Sequence, residues 1–438
     1  MPTIPHPSHG HLPRRLDPAE AFFWFLDHVS PMNFAVIAEG HGPLDDAAVQ
    51  AALRRAQQEH PLLRAAISTD AEQHLIWVPA PEAALDYTIS AAGNAWQAAL
   101  AHMLVQPFPL HSAPLVRALR FNLDDGSWVV ALVFHHSAGD GRSGCRLLAD
   151  ILANAAQPEQ SPQPHPGYPP LHALYPEHYQ QTAALQAFKT QRKEELQRYG
   201  RFDELPGFSR QAPELQPRIQ TLRLNAAQVQ RLSERCRAAG VTLHGAISAA
   251  QLQAVHRAFG AAEPRTLGLT TPADLRPHLR EPLDDASPLM CATLVTSVYR
   301  LEAEGDFWAL ARTISDDLKR QLQRGDGHLF YGLFPPPADF PATAEGIAAF
   351  SAMMAMAPQV SMVSNVGRLA PLPAATPFTV EALSFALCPM FSHLLFNAVS
   401  TFAGCMTLNV NFDAARLPAD QALPLIADLD AILQRAAA

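Results

Sequence analysis

The sequence predicts an α+β protein built from two sandwich-like halves. Three observations carry that expectation. The chain has 438 residues, and at roughly 150 residues per domain it has room for two or three domains, most simply two of similar size. Helix and strand signals are mixed along both ends of the chain. Between them, residues 157–170 hold six prolines and little that could pack, which is the composition of a linker. The expected organisation is a first half over 1–156, a linker and connector helix over 157–215, and a second half over 216–438. An interface between two such halves is a common place for a ligand.

The elements follow in order. The first half opens with a helix over 18–27 and a strand over 33–40. An amphipathic helix then runs from 44 to 60, with Asp45 or Asp46 as its cap. Short strands are expected at 63–68, 74–78 and 86–89, and a helix at 96–105. Strands 115–122 and 127–135 read as a hairpin around Asp124-Asp125-Gly126. Residues 128–134 are continuously apolar, so this strand should be central and covered on both faces. A helix over 142–155 ends the half. The segment 181–198 is a charged, Gln-rich helix, read as a solvated connector. In the second half, a strand at 219–224 leads to helix 225–239, stopped by Gly240. Thr242 caps a helix to 259. Strands near 266–271 and 290–299, helices 306–324 and 345–356, strands near 359–364, 382–386, 392–401 and 406–413, and a helix over 419–434 complete the chain. The apolar stretch 384–408 is interrupted by Pro389, His393, Asn397 and Gly404, so it reads as buried strands and not as a membrane helix.

Composition excludes several classes. With 48% hydrophobic and 17% charged residues the chain can fill real cores and is no disordered segment. A net charge of −9 argues against a nucleic-acid partner. The five cysteines, Cys145, Cys236, Cys291, Cys388 and Cys405, are scattered without ligand spacing. They read as buried thiols in a reducing compartment, hence a cytoplasmic protein. Residues 1–18 lack an apolar leader and read as an ordinary flexible start, and no transmembrane segment is expected.

The chemistry concentrates at the end of the central strand, in His135-His136-Ser137-Ala138-Gly139-Asp140-Gly141. Neighbouring strand residues point to opposite faces, so one histidine can face a cavity while the other is tied into the scaffold. Asp140 can fold back across the turn, and Gly139 and Gly141 permit torsions that other residues resist. The result is an imidazole with an adjacent carboxylate, suited to general-base work. Three other readings stand beside it. The pair could be hydrogen-bonded core histidines. A metal site would need further ligands, which the sequence does not supply nearby, so no metal is expected. His135 and Asp140 also fit the H-x4-D pattern of glycerolipid acyltransferases, but their phosphate-binding block and lipid-anchoring segments are missing.

The motif resembles that of the acyltransferases built on the chloramphenicol-acetyltransferase fold, which include peptide-synthetase condensation domains, alcohol acyltransferases, wax ester synthases and polyketide-associated acyltransferases. Three further stretches agree. Ser30-Pro31-Met32-Asn33-Phe34 through Leu62-Leu63-Arg64 resembles the family's opening strand and helix. Pro272-Ala273-Asp274-Leu275-Arg276-Pro277 resembles its P-v-D/N-L-R block, and Ser364-Asn365-Val366-Gly367-Arg368 its S-N-x-G block. The resemblance implies two chloramphenicol-acetyltransferase-like halves forming a pseudo-dimer with a tunnel between them. It implies His136 as the general base that deprotonates an acceptor for attack on an acyl thioester, and His135 facing the scaffold. Asp140 would be structural and paired with Arg276 of the second half. Gly141 would leave space for the thioester arm, and Asn365, beside Ser364, would belong to a loop bridging the halves. Arg276 as a surface residue and Asn365 as a plain turn residue remain the alternatives.

Departures narrow the resemblance. The D-F-G-W-G block of the plant enzymes is missing, as are a carrier-attachment L-G-G-x-S motif, a P-loop and an adenylation signature. A free-standing acyltransferase is therefore expected, with no bound cofactor. Its co-substrate would be an acyl thioester, either acyl-CoA or a phosphopantetheinyl acyl carrier protein, and its acceptor a small-molecule alcohol. The alternative is a condensation enzyme forming an amide on carrier-bound substrates with an amine acceptor. Met353-Met354-Ala355-Met356 reads as helix core, with an adaptable acyl pocket as the alternative. Lys189, Arg192, Lys193, Arg198 and Arg201 read as a solvated helix face, with a carrier-docking patch as the alternative.

Overall fold

The computed structural model describes residues 12–438 except 158–160, 166, 201, 213, 261–262, 284, 286–288, 304, 335–340 and 373–375. Two large sheets organise it. The first has five strands in the order Thr379–Leu387, Asn33–His41, Trp128–His135, Val116–Asn122 and Tyr87–Ser90. The second has six, in the order Ala292–Leu301, Arg265–Asp274, Val360–Arg368, His393–Phe402, Cys405–Asp413 and Pro217–Leu224. A small third sheet joins Arg14–Arg15, Leu75–Pro79 and Ala65–Thr69.

Trp128–His135 lies at the centre of the first sheet with every residue buried, as its unbroken apolar run requires. Its hairpin partner Val116–Asn122 sets Asn122 opposite Trp128. The turn closes through a 2.9 Å bond from the Leu123 amide to the Ser127 carbonyl. Gly126 takes φ +82° there, a torsion glycine adopts without a Cβ penalty. In the second sheet, His393–Phe402 is also buried throughout, because its two faces serve different cores. Phe396, Ala398 and Phe402 join the core shared with the first sheet. Leu395 and Val399 join the one under the helices Leu243–Ala258 and Ala419–Ala437.

The strand Thr379–Leu387 crosses from the second segment to the first sheet. By sequence it falls in the 216–438 segment, yet it pairs antiparallel with Asn33–His41 in the first sheet. Its inward residues Leu383, Phe385 and Leu387 fill the first core. The exchange also covers a sheet edge that would otherwise present unpaired backbone groups. The chain then returns to the second sheet, so the two halves are pinned together by main-chain pairing.

The connector helix Thr182–Tyr199 buries Phe188 alone, as its charged composition requires. Residues 1–11 of the expected flexible start, residues 158–160 and 166 of the linker, and Arg201 of the basic face lie outside the described residues. Arg14–Arg15 is not free: it pairs with Leu75–Pro79. Four cysteines are buried as expected, but Cys405 is exposed because it starts a strand at a hairpin turn, opposite Phe402. Among the described residues no helix is long and apolar enough to cross a membrane.

Candidate active site

The central strand delivers the two histidines to its tip, and a short 3-10 turn over His136–Ala138 hands the chain to the helix Gly141–Ala156. His135 is fully buried, and its Nδ1 accepts from the Ser137 amide at 3.2 Å. Its Nε2 lies 3.7 Å from Asp27 Oδ2, beyond hydrogen-bonding range. His135 thus faces the scaffold. His136 faces a cavity, with its ring stacked on Phe23 at 3.9 Å between centroids. Its Nδ1 is 3.0 Å from the Gly139 carbonyl. A carbonyl only accepts, so Nδ1 carries the proton and Nε2 keeps its lone pair. Burial pushes the imidazole down to about 4, against the weaker opposing pulls of its own backbone, the Asp140 charge and the Gly139 carbonyl. His136 is therefore neutral at pH 7.

Asp140 does not serve as the carboxylate of a His–Asp dyad, which corrects the reading of the motif as an imidazole with an adjacent carboxylate. Its side chain caps the helix, accepting from the Ser143 amide at 2.9 Å, and reaches the Cys291 amide at 2.9 Å. It also meets Arg276 Nη1 at 3.0 Å. Burial alone would raise this carboxyl; Arg276 and the two amides override it and hold it below the usual carboxylate range. Arg276 is 3% exposed and also bonds Asp274 at 3.0 Å and the Leu289 carbonyl at 3.1 Å. It is an inter-half clamp and no surface residue. Left unpaired, either charge would be costly in such an interior.

Neither glycine is needed for its torsion. Gly139 has φ 167°, extended backbone open to any residue, and Gly141 stays out of the left-handed region. A Cβ on Gly141 would meet the Phe385 ring at 3.1 Å. Gly141 and Phe385 both line the cavity, so a side chain there would encroach on it. The Ser364-Asn365 block is no inter-half loop. Both residues lie within the strand Val360–Arg368, whose register shifts between Asn365 and Arg368. Ser364 lines the cavity, while Asn365 Oδ1 turns to its own strand end and accepts from the Gly367 amide at 2.9 Å. The bridge at this place is Arg142, which donates to the Val366 carbonyl at 3.0 Å.

The cavity has a volume of about 340 Å³ and is walled by both sheets. Its lining is mainly apolar, and Met353, Met354 and Met356 contribute to it. That corrects their reading as plain helix core, though Met354 is also part of the core. A second cavity of about 560 Å³ lies against the connector helix and is lined by Tyr175, Lys189 and His328. Phe22 and Phe334, with ring centroids 4.5 Å apart, line both. Sequence reasoning missed Phe23, the Cys291 amide and Asp274. The aromatic run Phe22-Phe23-Trp24-Phe25 was the available signal: all four rings join the first core, and Phe22 and Phe23 also line the cavity. Among the described residues one cluster has metal-ligand types, Asp70, Glu72 and His74. It does not line either cavity, and Asp70 is paired with Arg15.

The phthiocerol/phthiodiolone dimycocerosyl transferase C-terminus family model matches residues 213–411. Solved structures match over nearly the whole chain. Polyketide synthase associated protein 5 from Mycobacterium tuberculosis gives a TM-score of 0.66 at 16% identity, covering 96% of this chain and 98% of that one. A trichothecene 15-O-acetyltransferase from Fusarium sporotrichioides gives 0.74 at 14% identity, covering 100% and 99%. The chain shares the fold of these two structures over nearly its whole length. Among curated proteins, phosphinothricin tripeptide synthetase PhsC from Streptomyces viridochromogenes is 30% identical over 186 residues, 40% of this chain and 17% of that protein. A linear gramicidin synthase from Brevibacillus parabrevis is 31% identical over 163 residues, 35% of this chain and 2% of that protein. The matched segments thus span under a fifth of these long relatives.

Proposed function

We propose that the chain transfers an acyl group from a thioester, on CoA or on a phosphopantetheinyl carrier protein, to an alcohol. The observation that carries this reading is His136: a neutral imidazole whose Nδ1 proton is committed to Gly139, on the wall of an apolar cavity between two sheets. In the proposed step Nε2 takes the acceptor hydroxyl proton as the oxygen bonds to the thioester carbonyl carbon. The carbon–sulfur bond then breaks, and the imidazolium returns the proton to the leaving thiolate. The products are an ester and a free thiol. Asp140 and Arg276 hold the turn and touch no reacting atom in this scheme.

The two cavities meeting at Phe22 and Phe334 support entry of donor and acceptor from different sides. Lys189 lines the larger one, and with Lys193 it also lines a neighbouring surface pocket, a basic rim suited to an acidic carrier or a phosphate-bearing arm. The likeness to peptide synthetases favours a second reading, amide formation on carrier-bound substrates. Intact-mass analysis of acyl-CoA and acyl-carrier donors, incubated with alcohols and with amines, separates the two. Ester products support the first reading and amide products the second. Neither product from any donor, with folded protein, would defeat both.

A further inference from the structure

The cavity holding His136 has a polar group at its other end. Strand registers give its long axis. Near the His136 end lie Ser364 on one strand and Pro272 and Leu294 on its neighbours, close to the Arg276 clamp at Asp274. Further along come Met362, Thr270 and Thr296, and last Val360 opposite His393. The two threonine hydroxyls bond each other at 3.0 Å, which occupies part of the polar capacity in the middle of this wall. From Ser364 to Val360 the strand advances about 13 Å at roughly 3.3 Å per residue.

His393 differs from the rest of that lining. It is 8% exposed, and its Nδ1 is buried without a hydrogen-bond partner. Its Nε2 is not closed off in this way and has no hydrogen bond among the described residues, so Nε2 is the ring atom a ligand in the cavity can pair with. The charges nearby do not pair with it. Arg416 donates to the Pro389 carbonyl at 3.2 Å and lies 3.4 Å from Asp413. Burial first, then the Arg416 charge, push His393 down to about 3, so it is a neutral imidazole. Such a ring offers one donor and one acceptor, which suits an oxygen that carries no charge of its own.

We propose that His393 recognises a hydroxyl or keto oxygen on the substrate's apolar chain, about ten carbons from the reacting carbonyl. The length follows from about 13 Å of wall and an advance of about 1.3 Å per carbon in an extended chain, given bond lengths near 1.5 Å and angles near 111°. Met353 and Met354 supply an adaptable side wall for the methylenes between. This inference rests on the cavity being the acyl site.

The test is calorimetric binding, without any acceptor, of N-acetylcysteamine thioesters with plain chains and ω-hydroxyl chains of six to fourteen carbons. In the wild type the ω-hydroxyl should improve affinity about fivefold near ten carbons and weaken it at six, as one added hydrogen bond predicts. His393→Leu should reverse the preference at ten carbons, and His393→Gln should keep it. A wild type that prefers plain chains at every length overturns the proposal, whether or not the variants fold. So does a folded His393→Leu that keeps the ω-hydroxyl preference. Because binding is read without turnover, a failure of acyl transfer leaves this result intact, and an active enzyme with no hydroxyl preference sinks this inference alone.

Discussion

Removing Asp140 should cost the fold more than removing Arg276, and the two losses should not add. Asp140→Ala takes away one of two carboxylates on a 3% exposed guanidinium. It also removes the cap of the helix Gly141–Ala156 and the acceptor for the Cys291 amide. Breaking a buried pair costs about 3–5 kcal/mol, and losing a helix cap about 1 kcal/mol more. Arg276→Ala leaves Asp140 with its two amide donors, so its cost belongs at the lower end, about 3 kcal/mol. The double variant should fall short of the sum by about 1–3 kcal/mol. Asp140→Asn adds a control: its side-chain oxygen can still cap the helix while its charge is gone, so it should cost less than Asp140→Ala. The assay is urea denaturation followed by far-UV circular dichroism and tryptophan fluorescence, with the cycle computed from midpoints at constant slope. A fully additive double variant would refute the reasoning, because two residues that add independently do not share a buried bond.

Gly141→Ala presses a Cβ against the Phe385 ring at 3.1 Å without backbone strain. Its melting temperature should stay near wild type, while Gly141→Val overpacks by about 1–3 kcal/mol. Both should slow transfer beyond the fraction unfolded; activity that merely tracks unfolding would leave Gly141 a packing residue. Acid should destabilise the protein below neutrality. Burial holds His60, His136 and His244 down to about 4 and His393 to about 3. The unfolded chain therefore binds protons from about pH 6.5 downward that the native state refuses, and stability falls as pH drops through that window. Asp140, depressed in the native state, adds a loss only at lower pH, below the unfolded carboxylate range. Denaturant midpoints unchanged between pH 7 and pH 5 would contradict the buried, neutral histidines.

Much of this was legible in the sequence, for identifiable reasons. The apolar run 128–134 and the Asp124-Asp125-Gly126 turn specified the central hairpin, because period and turn chemistry agree there. The caps Asp45, Asn225, Thr242 and Asp306 mark helix starts by side-chain chemistry that acts locally. What stayed hidden depends on distant partners. Nothing local in residues 379–387 says that they pair with Asn33–His41 and not with their neighbours. Asp140 stands close to His136 in sequence, yet its partners are the Cys291 amide and Arg276, far along the chain. Met353 read as core because a cavity and a core demand the same residue types, whereas Met356 falls beyond the helix end and is exposed. Asn365 read as a loop residue because an S-N-x-G string carries turn chemistry that here serves a bulged strand.

The central claim is that His136 Nε2 takes the acceptor proton. It is tested most directly by the single-turnover rate of acyl transfer in His136→Ala, measured beside its melting curve. The account predicts a loss of about 10² to 10⁴ in rate, with the protein still folded because the ring makes one hydrogen bond, to Gly139. A folded His136→Ala that transfers acyl groups at near wild-type rate would contradict it.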